Sequence, residues 1–174
     1  KPVRKHRKKI INQLVWDKSY SKYFREGFDK FLEKLFKLDT INVAADIEEE
    51  GLYRKNKWGS TKHDETVFRI PLVKGAVFGA HLNFYSEQEF TKQSPITALK
   101  ARWVIPSSIQ KDEEGVPRFR EEWLGVFELE ETYRFRYEIN QDWEMVEGDW
   151  TLEIMTMDDK PLYKRTFQTF LPKG

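Results

Sequence analysis

The chain has 174 residues, of which 39% are hydrophobic and 34% charged, and 30 Lys+Arg against 29 Asp+Glu leave a net charge of +1. A chain of this size buries roughly 70% of its unfolded surface in one domain, so wholesale disorder is excluded, and the near-zero net charge singles out no partner. The absence of cysteine excludes a disulfide framework, a thiolate metal site and a Cys nucleophile, and no run approaches the ~18 to 20 apolar residues that a membrane helix requires.

The even charge hides an asymmetry. Residues 1–40 carry 12 Lys+Arg against 5 Asp+Glu, or +7, and the remainder carries 18 against 24, or −6. Six of the first nine residues, Lys1, Arg4, Lys5, Arg7, Lys8 and Lys9, are cations. Such a run gains nothing from folding and repels itself unless it meets negative charge, so these six are the candidate contacts to an anionic partner. Ile10 to Trp16 is too short and polar for the apolar part of an export signal. The chain begins with Lys rather than Met, which suggests a trimmed N-terminus and leaves the compartment open, the cytoplasm being slightly favoured.

From Ser19 to Leu38 the residues Phe24, Phe28, Phe31, Leu35 and Leu38 recur at spacings of four, three, four and three. This pattern predicts one amphipathic helix, capped by Ser19 or Ser21 and ended at Asp39-Thr40. Its apolar stripe is expected to close an open face of the domain that follows, with pairing to a second chain as the alternative. A shorter helix from about Lys8 to Trp16 is a weaker reading.

Beyond Thr40 the period becomes strand-like. Strands are expected near Ile47–Arg54, Glu65–Pro71, Val77–Tyr85, Ile96–Ile105, Trp123–Leu129, Thr132–Ile139, Trp150–Met157 and Leu162–Phe170, with His63, Asp64 and Glu65 in a loop. Eight strands joined by short turns predict an antiparallel sandwich of two sheets over residues 41–174, preceded by the arm and helix of 1–40. In Thr132–Ile139 the residues Tyr133, Phe135, Tyr137 and Ile139 should face the core and Arg134, Arg136 and Glu138 the water.

Several fragments are similar, in the same order, to a bacterial family known only as domain of unknown function 3859. Glu50-Gly51-Leu52-Tyr53 resembles its opening strand, and Thr66 to Pro71 with Gly75 and Phe78-Gly79 its Ile-Pro, Gly, Phe-Gly run. Trp103-Val104-Ile105-Pro106 before Asp112 to Gly115 resembles its strand ending in Pro, and Glu147 to Trp150 with Lys160-Pro161-Leu162 and Thr166-Phe167 its closing hairpin. The resemblance spans about residues 45–170 and implies an immunoglobulin-like sandwich; it supplies no catalytic residue.

Chemistry is sparsely signposted. His6, His63 and His81 lack metal-ligand spacing. His63-Asp64-Glu65 is a minor candidate for metal or acid-base work, and His81, in an apolar strand, reads as a core or sheet-face histidine with a satisfied hydrogen bond. The acidic runs are better explained as solvated edges than as a catalytic pair, and no nucleophile elbow or phosphate loop is present. Neither metal nor cofactor is expected. Of the tryptophans, Trp103 and Trp150 should be core, while Trp58 and Trp143, near turns, are the candidate exposed aromatics. The sequence thus suggests a non-enzymatic interaction or accessory module of a bacterial assembly, its basic arm and helix contacting a partner or an anionic surface. A nucleic-acid-associated protein using the arm, and a carbohydrate binder or hydrolase, are the alternatives.

Overall fold

The structure, a computed structural model, describes residues 42–87, 96–106 and 120–173. The basic arm and the predicted helix of residues 19–38 lie outside the described residues. Within them the chain forms nine strands in two sheets. The four-stranded sheet runs β2 (Thr61–Glu65), β1 (Ala44–Lys55), β4 (Val77–Tyr85), β7 (Thr132–Glu138). The five-stranded sheet runs β3 (Arg69–Pro71), β9 (Pro161–Phe170), β8 (Gly148–Thr156), β5 (Ile96–Val104), β6 (Arg120–Glu128).

Alternation builds the core. Phe78, Ala80, Leu82 and Phe84 of β4 are fully buried against Leu99, Ala101 and Trp103 of β5, Leu152 and Ile154 of β8, and Phe167 of β9. Rings interlock across the gap: Phe78 packs edge-on against both Trp103 (5.5 Å) and Trp150 (5.9 Å). Phe135, Tyr137 and Ile139 of the β7 segment point inward, with Tyr133 packed against the same core.

Three expectations need correction. The strand read as Glu65–Pro71 is two strands in different sheets, and His63, Asp64 and Glu65, read as a loop, close the edge strand β2. The physical cause is a crossing of the chain at Thr66–Phe68. Val67 N–H donates to the Glu65 carbonyl (3.0 Å), and Gln168 N–H donates to the Phe68 carbonyl (2.7 Å) at the start of the β3–β9 pairing. The sheets are also not wholly antiparallel, because β3 pairs with β9 in parallel. A strand reached by crossing between sheets, rather than by a hairpin, is free to take that direction.

Candidate functional site

The outer face of the four-stranded sheet carries the densest group of polar chemistry among the described residues. In its middle Gly51 of β1 faces Gly79 of β4 across the ladder, with φ of +125° and +152°. A Cβ on Gly79 would fall on the Phe135 carbonyl oxygen and lie 2.9 Å from Arg136 Cα, while one on Gly51 would lie 2.9 Å from Thr66 Cα. Two residues along each strand stand Tyr53 and His81, whose rings close over this bare patch, stacked at 5.0 Å and 26°. His63 of β2, opposite Tyr53, meets the same phenol ring edge-on at 5.6 Å.

Hydrogen bonds fix both imidazoles. His63 Nε2–H donates to the Glu50 carbonyl at 2.9 Å, with Thr66 Oγ1 3.3 Å from the same nitrogen. His81 Nδ1 lies 2.6 Å from Glu49 Oε1. Arg134 and Arg136 come from β7 on the same face, the Arg136 guanidinium 5.8 Å from the Tyr53 ring. Tyr53 Oη, His81 Nε2 and Arg136 Nη1 are buried without a hydrogen-bond partner. Burial, reinforced by Glu49, pushes the Tyr53 phenol well above its ordinary value, so it stays neutral.

For His81, burial lowers the pKa from 6.5, and Arg136 and Arg134 act in the same direction against the pull of Glu49. The fold therefore holds a neutral imidazole that the unfolded chain would protonate near pH 6.5. The stabilising contribution is complete above that pH and is lost as pH falls below it. Thermal unfolding followed from pH 8 down to pH 5 should show a steeper loss of Tm in the wild type than in His81→Gln. Parallel profiles would contradict this assignment.

Beside this face the two sheets are tied at one edge. Glu50, 8% exposed, turns inward from β1 and accepts hydrogen bonds from Arg165 Nε (3.0 Å), Arg165 Nη2 (2.8 Å) and Tyr163 Oη (2.7 Å) of β9. The fork geometry of the guanidinium matches the carboxylate, and the carboxylate holds the Arg165 pKa above its usual value.

The β1–β2 hairpin then carries the chain out to Trp58, which is 78% exposed. Its turn is braced by Asn56, whose Oδ1 accepts from the N–H groups of Trp58 (2.9 Å) and Ser60 (2.9 Å), while Asn56 N–H donates to the Ser60 carbonyl (2.8 Å). Lys57 Nζ lies 4.2 Å from the Trp58 ring centroid.

Trp143, expected to be exposed, is instead half-buried with its Nε1 covered. It sits in the 3-10 turn Asp142–Glu144, which is anchored onto the sandwich. There the buried Glu144 carboxylate accepts from Tyr137 Oη (2.7 Å), Asn140 N–H (2.6 Å) and Gln141 N–H (2.8 Å). Trp103 and Trp150 are core residues at 1% and 0% exposure. The described tryptophans therefore form no flat exposed row of the kind that stacks on sugar rings. His63, Asp64 and Glu65 do not converge, because Asp64 turns to Arg54 (2.9 Å) while His63 turns to Tyr53. No group of three or more His, Asp or Glu residues able to hold a metal ion occurs among the described residues. The arm residues Lys1 to Lys9 and the stripe Phe24 to Leu38 lie outside them.

No family model matches the chain, and no curated protein sequence does. Among solved structures it is similar to an immunoglobulin-like protein from Pseudomonas aeruginosa, with a TM-score of 0.59 and 20% identity. The match covers 74% of this chain and 97% of that one. The fold is immunoglobulin-like. At that identity the likeness extends to the architecture alone, and the polar face and the Trp58 hairpin of this immunoglobulin-like sandwich are read from its own residues. No helix among the described residues is long and apolar enough to cross a membrane.

Sequence reasoning did not find Tyr53, Arg134 and Arg136 as members of one group. A signal was present: Gly51-Leu52-Tyr53 and Gly79-Ala80-His81 share one spacing, a glycine two residues before a ring. In neighbouring strands that spacing lays both rings over both glycines.

Proposed function

We propose that the protein is a non-enzymatic interaction or accessory module of a bacterial assembly and belongs to the family its fragments resemble, domain of unknown function 3859. Its contacts are the Trp58 hairpin and the basic arm Lys1, Arg4, Lys5, Arg7, Lys8 and Lys9. The observation that carries the reading is Trp58 itself. An indole 78% exposed on a turn closed by four hydrogen bonds, the three named above and one from Gly59 N–H to the Asn56 carbonyl (3.0 Å), has been pre-organised at no benefit to its own core. Large aromatic side chains on rigid supports are what dominate the energy of protein interfaces, because little rotational freedom remains to be lost on binding. The ring packing at the foot of the hairpin supports the same reading, since Tyr53 of β1 meets His63 of β2 edge-on and stacks on His81 of β4.

The expected result of Trp58→Ala is a loss of at least tenfold in partner captured by the full chain from an extract of the bacterium that makes it, with Tm changed by no more than ~1 °C. The run Lys5-His6-Arg7-Lys8-Lys9 favours nucleic acid as the second reading. Capture that survives Trp58→Ala and disappears on nuclease treatment would establish that alternative and end the first.

A further inference from the structure

The outer face of the five-stranded sheet is covered over part of its width only. On β9 the outward residues Lys164, Thr166 and Gln168 are all exposed, as a solvent-facing strand requires. On β5 none of the nine residues is exposed, and on β6 none from Glu122 to Glu128 is, although β6 is the edge strand. Leu99, Ala101 and Trp103 of β5 belong to the core, so Ala98, Lys100 and Arg102 must face outward. The register sets Ala98 opposite Val126, and Lys100 opposite both Leu124 and Met155. Ala98 (9% exposed), Val126 (8%) and Met155 (8%) are thus buried on the side of the sheet away from the core, and none of them belongs to the core cluster.

We infer that this patch is the seat of residues 19–38, which lie along β5 and β6 as an amphipathic helix and make a third layer on that side of the sandwich. Three observations select this occupant. The described residues begin at 42, and Val43 enters the core where Ala44 pairs with Tyr85. At the same end Glu130 N–H, in the β6–β7 turn, donates to the Phe84 carbonyl (2.6 Å). The chain before residue 42 therefore arrives beside the end of β6. Length fits as well: twenty helical residues span about 30 Å, and a nine-residue strand also spans about 30 Å. Composition decides among the candidates. Residues 88–95 offer Phe90 alone and residues 107–119 only Ile109, Val116 and Phe119 as large apolar side chains, and the cluster Ile10, Ile11, Leu14, Val15 and Trp16 would make only about 10 Å of helix, against the regular stripe Phe24, Phe28, Phe31, Leu35 and Leu38.

The inference is independent of the proposed function. It assigns the helix to the domain itself. The test uses the full chain with p-benzoylphenylalanine in place of Leu124. Irradiation should give an intramolecular cross-link to a peptide within 19–38, and the same probe at Gln168 should give none. Cross-links to 88–95 or 107–119, to a second copy, or to nothing would overturn it. Because the bulky probe can disturb folding, a second variant reads the same contact. Glu33→Cys, in a chain that otherwise has no cysteine, carries a nitroxide that should broaden the Leu124, Val126 and Met155 methyl resonances and spare the Thr166 methyl on β9. Unbroadened methyls at 124, 126 and 155 would refute the docking.

Discussion

Gly79→Ala is expected to lower stability by about 3 to 5 kcal/mol, a fall in Tm of roughly 10 °C for a chain of this size. Two costs add. The residue sits at φ +152°, which an L side chain adopts only under strain, and its new Cβ would meet the Phe135 carbonyl oxygen and Arg136 Cα of the adjacent strand. Neither obstacle can rotate away, because both are backbone atoms of a paired strand in the sheet. The change must push β7 from β4, which withdraws Arg134 and Arg136 from the polar face, or twist β4 itself, which separates the Tyr53–His81 stack that spans the two glycines. Equilibrium denaturation, with near-ultraviolet circular dichroism to follow the aromatic packing, checks this. A variant within 1 kcal/mol of wild type would show that the glycine pair is not the floor on which the polar face is built.

Arg165→Met is expected to cost about 2 to 3 kcal/mol, less than the loss of a cation from a fully buried pair because Arg165 itself reaches solvent. The Glu50 side chain is 10% exposed while that of Arg165 is 38% exposed, so loss of the guanidinium leaves the carboxylate with Tyr163 Oη and only partial access to water. The penalty belongs to the stranded charge rather than to the worth of the pair. Adding Glu50→Leu to Arg165→Met should therefore recover most of the loss, giving a strongly non-additive cycle. Additive single and double variants, measured by urea denaturation, would contradict the assignment of this pair as the cross-sheet tie.

Much of the architecture could be read from residue order. The expected strand Val77–Tyr85 coincides with β4, since Phe78, Ala80, Leu82 and Phe84 alternate strictly and the segment is bounded by Gly75 and Ser86. The inward set of β7 followed from the same alternation. The split of the second strand was not legible: Thr61–Glu65 contains Lys62, Asp64 and Glu65 and no large apolar residue, so nothing in it repeats with period two against a core. It is a strand because β1 offers it a ladder. The parallel β3–β9 pair was hidden for a related reason, three residues being too few to carry a pattern. Trp143 departs from its expected exposure because proximity to a turn says nothing about whether that turn folds back onto the domain, which here depends on the Glu144 carboxylate. The polar face escaped because its members come from three strands, and only the pairing register brings Tyr53, His81 and Arg136 together.

In the function proposed above, a stiff sandwich presents Trp58 as the contact to a partner. This contact is tested most directly by fluorine NMR of the full chain containing 5-fluorotryptophan, with the Trp58 signal assigned from Trp58→Phe. Free in solution, that signal should show the solvent-isotope shift of an exposed indole, and addition of the captured partner should abolish the shift and move the resonance. A Trp58 signal that stays fixed and solvent-sensitive while the partner binds would contradict the account.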